Sequence, residues 1–294
     1  MVSLLAKKLQ NGLRRGFSLG NLTTWGVGGP AEFFCAPDSI GEAVAAVDFA
    51  WEEELPYRII GNGSNVLIGD EGYPGLIINP RSGLGGIEVE GKTLRAGATA
   101  SLNELAVTAN EYGSQCLNFL TGIPGTVGGG VAMNAGAHGK EISEYLKTVS
   151  FIDESGKVRK TSDLSEAFGY RESPFREPGK IVLEVEFELD YDERQPEMEQ
   201  LLHSRKEKIP YEERTAGCVF KNPDHHEKTA GELLDKAGAK GLRVGDAVVS
   251  HQHANFILNK GHATAKNIQN LIDICRHRVY KEFGVTLVTE VMVI

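Results

Sequence analysis

The chain has 294 residues, 41% of them hydrophobic, which is enough for two or three domains with real cores. Its net charge of −9 excludes broad attraction to nucleic acid or anionic lipid, so an anionic substrate must be met by a few local basic groups. The four cysteines, Cys35, Cys116, Cys218 and Cys275, are widely spaced and form no C-x-x-C pair, which argues against a zinc ribbon or a disulfide framework and for reduced thiols.

In chain order, residues 1–8 carry only a short apolar patch before their charges, and no apolar run of about eighteen residues follows, so a cytoplasmic protein without membrane insertion is expected. Residues 21–31 form a polar, Gly-rich turn leading into an apolar stretch. Ser39 and Glu42 are spaced as a capping box and predict a helix with Ile40, Ala43, Val44, Val47 and Trp51 on its core face. Strands follow at 57–60 and 76–78, and Pro80-Arg81-Ser82-Gly83 reads as a boundary. Residues 87–89 and 94–96 suit a hairpin, and Ser101 caps a helix stopped by Gly113. Strands are expected at 149–152 and 181–189, where Ile181, Leu183, Val185, Phe187 and Leu189 alternate with Glu184, Glu186 and Glu188 to give one buried and one wet face.

The acidic turn 190–196 reads as a linker. Beyond it, helices are expected at 197–208, after a cap at Thr229, and at 264–283, the last with Ile268, Leu271, Ile272, Cys275, Val279 and Phe283 as its core face. Two short strands, 285–288 and 291–294, flank Glu290. The resulting division is 1–80, 81–192 and 193–294.

Residues 120–139 hold seven glycines and no Lys, Arg, Asp or Glu. A solvated loop normally carries charge, whereas uncharged glycines suit main chain that approaches another body closely. Successive amides in such a turn can hold a phosphate without a basic side chain, and the bland alternative is a tight turn packed on neighbouring backbone. A second uncharged loop, Gly61-Asn62-Gly63-Ser64-Asn65-Val66-Leu67-Ile68-Gly69, follows the strand at 57–60. Two such loops suggest one extended, phosphate-bearing ligand. Neither matches G-x-G-x-x-G or G-x-x-x-x-G-K-[ST], which disfavours Rossmann and P-loop readings.

Three further spots interrupt the regular pattern. Arg171 lies beside Tyr170 and a proline turn, where a guanidinium suits a carboxylate; alone it reads as a surface or ion-pair residue. Cys218 follows Gly217, and a lone thiol is usually a small buried hydrophobe. Glu290 breaks an apolar strand pair, either as a functional carboxylate or as an outward-facing Glu at a bend. His225-His226 and His251-x-His253 lack a Cys or carboxylate at ligand spacing, so no metal is expected.

Taken together, Gly61-Asn-Gly-Ser-Asn65, Gly122-Ile-Pro-Gly-Thr-Val-Gly-Gly129, Asn134-Ala-Gly136, Tyr170-Arg171, Gly217-Cys-Val-Phe-Lys-Asn-Pro223, His253-Ala-Asn-Phe256 and Glu290 resemble, in order, the signatures of the UDP-N-acetylenolpyruvoylglucosamine reductase family. The resemblance spans residues 20–294. It implies an α+β chain: a two-part FAD-binding unit of the vanillyl-alcohol-oxidase (PCMH) type plus a C-terminal α+β substrate-binding domain. Non-covalent FAD would lie along Thr24, Gly61, Asn62, Gly63, Ser64, Asn65, Val66 and Leu67, and along Gly122, Ile123, Pro124, Gly125, Thr126, Gly128, Gly129, Asn134, Ala135 and Gly136, its pyrophosphate on loop amides.

The resemblance further implies NADPH as co-substrate, a UDP-sugar substrate and a product used in peptidoglycan synthesis. Arg171 and Glu290 match the residues that stabilise the charge developed after hydride transfer to C3. Cys218 stands where better-known members place a proton-donating serine. Tyr170, Lys208, Asn222 and His253 match substrate-binding positions. Only 46 residues separate Arg171 from Cys218, as in the shorter class without a tyrosine loop over the diphosphate. Oligomeric state is left open, with a monomer the default. The alternatives are another FAD-dependent oxidase or dehydrogenase of this fold, or a nucleotide-binding sensor without turnover.

Overall fold

The computed structural model describes residue 9 and residues 12–80, 82–164, 168–177, 179–224 and 226–294. The apolar patch at 1–8, the boundary residue Arg81 and His225 of the histidine pair lie outside the described residues.

Strands β1 (Arg14–Ser18) and β2 (Pro30–Cys35) precede helix α1 (Ile40–Glu52), which is followed by β3 (Tyr57–Ile59), β4 (Val66–Leu67) and β5 (Tyr73–Ile78). Next come β6 (Ile87–Glu90), β7 (Thr93–Gly97), α2 (Leu102–Glu111), α3 (Val127–Ala132), β8 (Gly136–Ala137) and β9 (Lys140–Glu141). Strands β10 (Leu146–Ile152), β11 (Val158–Thr161) and β12 (Ile181–Glu188) lead to α4 (Met198–Lys208) and α5 (Ala230–Lys236). The chain closes with β13 (Arg243–Val244), β14 (Ala247–Val249), β15 (Ile257–Asn259), α6 (Ala265–Phe283) and β16 (Met292–Val293). The mixture is α+β. It divides into two compact units, one of residues 1–16, 32–61 and 74–203, the other of residues 17–31, 62–73 and 204–294.

In the first unit, a sheet of order β11-β10-β12-β7-β6 is covered on one face by α2 and α3 through Leu94, Leu105, Ala109, Val127, Val131, Val185 and Phe187. Local signals account for its pieces. Glu90 pairs with Thr93 across a turn in which Gly91 has φ +58, a conformation only glycine adopts without strain. Ser101 accepts from the Glu104 amide while the Glu104 carboxylate accepts from the Ser101 amide, a reciprocal capping box. At its other end Gly113 is left-handed (φ +90), and the Ser114 amide donates to Ala109 O, closing a Schellman turn.

Three expectations about this unit change. Helix α1 buries Ala43, Ala46, Val47 and Ala50, while Ile40 and Trp51 are 44% and 61% exposed. The stripe of three alanines and Val47 at i, i+3, i+4 and i+7 allows close approach to Phe33, Leu76 and Ile78, which outweighs the larger side chains at the helix ends. The wet face expected on β12 is instead crossed by charge pairs. Glu186 is only 8% exposed and accepts from Thr148 Oγ1 (2.9 Å), Lys160 Nζ (3.1 Å) and Arg95 Nη2 (3.2 Å). Nor does the turn 190–196 hang loose. Gln195 donates to Cys116 O (2.6 Å) and accepts from the Phe119 amide (3.0 Å), and Ser114 Oγ donates to Asp190 O (2.6 Å).

The second unit packs Trp25, Val27, Leu67, Val219, Leu233, Ile257, Ile268, Leu271, Ile272, Cys275 and Val279 into one core. Helix α6 follows the expected pattern, capped by Thr264 and ended by Gly284 at φ +69. The Trp25 indole donates to Ile257 O (2.7 Å), and Asn259 Nδ2 donates to Trp25 O (2.8 Å), so residues 17–31 are stitched to β15. Residues 285–288 form no strand. Arg276 Nε donates to Leu287 O (3.1 Å) and the Lys221 amide to Val288 O (2.9 Å), and Phe220 and Thr289 form an isolated bridge. Beyond it, β16 runs parallel to β4, Met292 beside Val66 and Val293 beside Leu67.

Candidate functional site

The uncharged loop of the first unit is a turn followed by the short helix α3. Thr126 caps that helix, its Oγ1 accepting from the Gly129 amide at 3.2 Å. The Val127 and Gly128 amides donate to Ala100 O (2.8 Å) and Ala98 O (2.9 Å). Exposed Gly129 thus offers surface, not its amide, to a ligand, while Gly128 is buried beneath it. Their small size is needed locally: a Cβ on Gly128 would lie 3.0 Å from Ala98 Cβ, and one on Gly61 would lie 2.7 Å from Thr126 Oγ1. Gly61 and Thr126, from the two loops, therefore meet in this unit. Asn79, which sequence reasoning passed over, fixes the approach to Gly61: its Nδ2 donates to Ile60 O (2.7 Å) and Gly61 O (3.0 Å). Beside Gly122, the buried Thr121 Oγ1 has no hydrogen-bond partner among the described residues.

Past α3 the chain makes a strained turn. Among the described residues four non-glycine residues have positive φ, and Asn134 (φ 43), His138 (φ 56) and Arg171 (φ 59) are three of them. Such backbone costs energy and concentrates at functional sites. Asn134 is fully buried. Its Nδ2 donates to Glu141 Oε2 (2.7 Å) and Gly169 O (3.0 Å), and its Oδ1 accepts from the Ser143 amide (3.3 Å). The expected cofactor contact of Asn134 thus meets an amide whose two hydrogens are already spent. The Arg171 guanidinium donates to Asn134 O (3.3 Å) and Gly136 O (3.0 Å), and lies 5.0 Å from the ring centre of the part-exposed Tyr170. Asn134, Ala135, Gly136, Tyr170 and Arg171, distant in sequence, therefore form one cluster.

In the second unit, the loop at 62–69 is held from below. Thr24 donates through its amide (3.1 Å) and hydroxyl (3.3 Å) to Gly63 O. A Cβ on Gly63 (φ +61) would collide with the Leu22 carbonyl. Asn65 Nδ2 donates to Glu290 O at 3.3 Å and Asn65 O accepts from the Met292 amide at 3.0 Å, while Leu67 is buried in the core. The segment read as a cofactor loop and the segment carrying Glu290 are thereby joined.

Cys218 bridges to Phe256, and the next residue, Val219, donates to Asn255 O (2.8 Å) and accepts from the Glu290 amide (2.8 Å). Cys218 and Glu290 thus sit on neighbouring extended segments. Asn255 takes the place of a strand beside them: its Oδ1 accepts from the Phe220 amide (2.9 Å) and its Nδ2 donates to Phe220 O (2.8 Å). His253 Nδ1 accepts from the Asn255 amide (3.2 Å). Burial lowers its pKa, so the ring is neutral at pH 7 with its proton on Nε2. Asn222 Oδ1 accepts from the Ala230 amide (3.0 Å) and so anchors the start of α5. Lys208 is exposed at the end of α4.

Arg205, on the last turns of α4, escaped the sequence reading because the run Ser204-Arg205-Lys206-Glu207-Lys208 looks like a solvated face. Its Nε is buried without a hydrogen-bond partner among the described residues. Burial pulls its guanidinium below the usual range, against the opposing influence of Tyr211 and Cys218. None of the four cysteines is in a disulfide. Among the described residues no group of three or more His, Cys, Asp or Glu can hold a metal, and no helix is long and apolar enough to cross a membrane.

Residues 30–162 match a family model described as an FAD binding domain, and residues 209–294 match the UDP-N-acetylenolpyruvoylglucosamine reductase C-terminal domain. The UDP-N-acetylenolpyruvoylglucosamine reductase of Clostridium novyi is 38% identical over 285 residues, covering 96% of this chain and 92% of that protein. The Aquifex aeolicus protein of the same name is 39% identical, covering 94% and 93%. The crystal structure of UDP-N-acetylenolpyruvylglucosamine reductase from Thermus caldophilus superposes with a TM-score of 0.77 at 36% identity, covering 96% of this chain and 97% of that one.

Proposed function

Because the chain belongs to the UDP-N-acetylenolpyruvoylglucosamine reductase family, we propose that it reduces the enolpyruvyl group of UDP-N-acetylglucosamine enolpyruvate with NADPH, yielding UDP-N-acetylmuramate. The observation that carries this reading is the adjacency of Cys218 and Glu290 about Val219, which gives one unit both a proton donor and a carboxylate.

The FAD binding domain fits the chemistry of the residues present. An uncharged wall with a buried, unpartnered Thr121 hydroxyl suits a polar, phosphate-bearing cofactor. Residues 61–67 with Thr24, and residues 122–126 with Gly128, Gly129, Ala135 and Gly136, would hold it. Bound FAD supplies hydride transfer from NADPH to C3 of the enolpyruvyl group. Arg171 then binds the substrate carboxylate, into which the negative charge left at C2 spreads. The thiol of Cys218 gives its proton to C2 and becomes a thiolate; a thiol is a stronger acid than the serine hydroxyl it replaces. Glu290, held on the neighbouring extended segment, supports the same charge shift. His253 Nε2–H, Asn222, Tyr170 and Lys208 contact the UDP-sugar. Arg205, whose buried guanidinium has an unused donor, supplies the positive charge for an anionic part of the substrate.

An anaerobic two-step experiment tests the reading. NADPH should bleach the oxidised-flavin spectrum, and UDP-N-acetylglucosamine enolpyruvate should then restore it. A flavin that bleaches and stays bleached would assign the chain to another electron acceptor, and one that never bleaches would remove NADPH as the donor.

A further inference from the structure

Asn134 and Arg171 are separated by 36 residues in the sequence, yet each is left-handed and each depends on the other's neighbourhood. Asn134 is fully buried and its carboxamide is saturated by Glu141, Gly169 and Ser143. That leaves its side chain with no hydrogen to offer a ligand. What it does present is its backbone carbonyl, which with Gly136 O accepts the Arg171 guanidinium. The bond to Gly169 O adds a second tie, because Gly169 pairs with Glu172 on the turn that carries Arg171. One amide therefore fixes both the carbonyls that grip the guanidinium and the turn from which that side chain springs.

We propose that Asn134, held by Glu141, is a positioning residue that aims Arg171 at the substrate carboxylate. The argument rests on the reading of Arg171 given above. Asparagine suits the position on two counts. It tolerates left-handed backbone better than other side chains, and its amide has two donors for two acceptors on different elements. Aspartate would keep the backbone tolerance and lose both donors. Alanine would lose both properties.

The test compares half-reactions in the holoenzyme. Asn134→Asp and Asn134→Ala should retain FAD and be reduced by NADPH at the wild-type rate. Reoxidation by substrate should slow about ten- to hundredfold, as expected when a polar group is displaced by a fraction of an ångström to one ångström. Glu141→Gln keeps an oxygen for the Asn134 amide and should be clearly faster in reoxidation than Glu141→Ala. If Asn134 acts through Arg171, adding Asn134→Ala to Arg171→Ala should slow reoxidation no further. Full additivity would overturn the proposal, as would reoxidation at the wild-type rate in Asn134→Ala. Should the Asn134 variants fail to fold, equal reoxidation rates for Glu141→Gln and Glu141→Ala would overturn it instead. If Arg171→Ala alone leaves reoxidation unchanged, the fault lies with the role given to Arg171, which separates the two failures.

Discussion

Burial pushes the thiols of Cys35 and Cys275 up to about 12 and raises that of Cys116, whereas Cys218 is part-exposed. Since the thiolate is the nucleophile, iodoacetamide at neutral pH should label the native chain once, at Cys218, and all four cysteines after unfolding, as counted by mass. Cys218→Ser should take no label when native and keep substrate-driven reoxidation within about tenfold of wild type. Complete loss of reoxidation with FAD still bound would refute a simple proton-donor role. Arg205 makes a separate demand. Removing a charge-assisted hydrogen bond costs about 1.5–3 kcal/mol, so Arg205→Met should raise the KM for the UDP-sugar about ten- to hundredfold without changing reduction by NADPH. An unchanged KM would make Arg205 a packing residue. The sequence made Cys218 visible through its setting, Gly217-Cys-Val-Phe-Lys-Asn-Pro223. It hid Arg205, because burial of one cation beside three charged neighbours, Lys206, Glu207 and Lys208, leaves no mark on local composition.

Elements with local causes were legible, and elements shaped by distant partners were less so. Helices α2, α5 and α6 begin at capping boxes whose residues lie three apart, so short-range sequence determines them. The outer face of β12 depends on Arg95, Thr148 and Lys160 from three other strands, and alternation alone made Glu186 look solvated. The hydrogen bond from Thr148, helped by Lys160 and Arg95, holds the Glu186 carboxyl below the usual carboxylate range against the cost of its burial. A depressed folded-state pKa contributes stability above the unfolded value of about 4.3, and that stability is lost as pH falls through the folded-state value. Glu186→Gln should therefore lose about 1–2 kcal/mol at neutral pH, with the gap to wild type closing as pH falls below the unfolded carboxylate's value of about 4.3. Urea unfolding across that range checks it; a gap independent of pH would mean that the amide fails for steric and not electrostatic reasons.

At the scale of the molecule, one compact unit collects residues 17–31, 62–73 and 204–294, and nothing local in the sequence announces that gathering. A two-residue strand at 66–67 is too short for alternation to identify, and its parallel partner lies at the far end of the chain. The motifs were legible because each is a continuous run. Their union depended on main-chain bonds that sequence patterns do not encode. The Met292 amide donates to Asn65 O (3.0 Å), Ile294 N to Leu67 O (2.9 Å) and Gly69 N to Ile294 O (2.9 Å), while Val291 is buried. Removing residues 291–294 forfeits these bonds, a longer one from the Val291 amide to Val219 O (3.5 Å) and that side chain, roughly 3–6 kcal/mol, a large part of the 5–15 kcal/mol that stabilises a typical domain. The truncated chain should melt well below wild type. Because Asn65 Nδ2 also holds Glu290 O, Asn65→Ala should slow reoxidation by substrate more than it lowers the melting temperature. A truncation that melts with wild type would show that β4 keeps its place without β16. An Asn65→Ala enzyme that reoxidises at the wild-type rate would show that Glu290 keeps its place without the Asn65 amide.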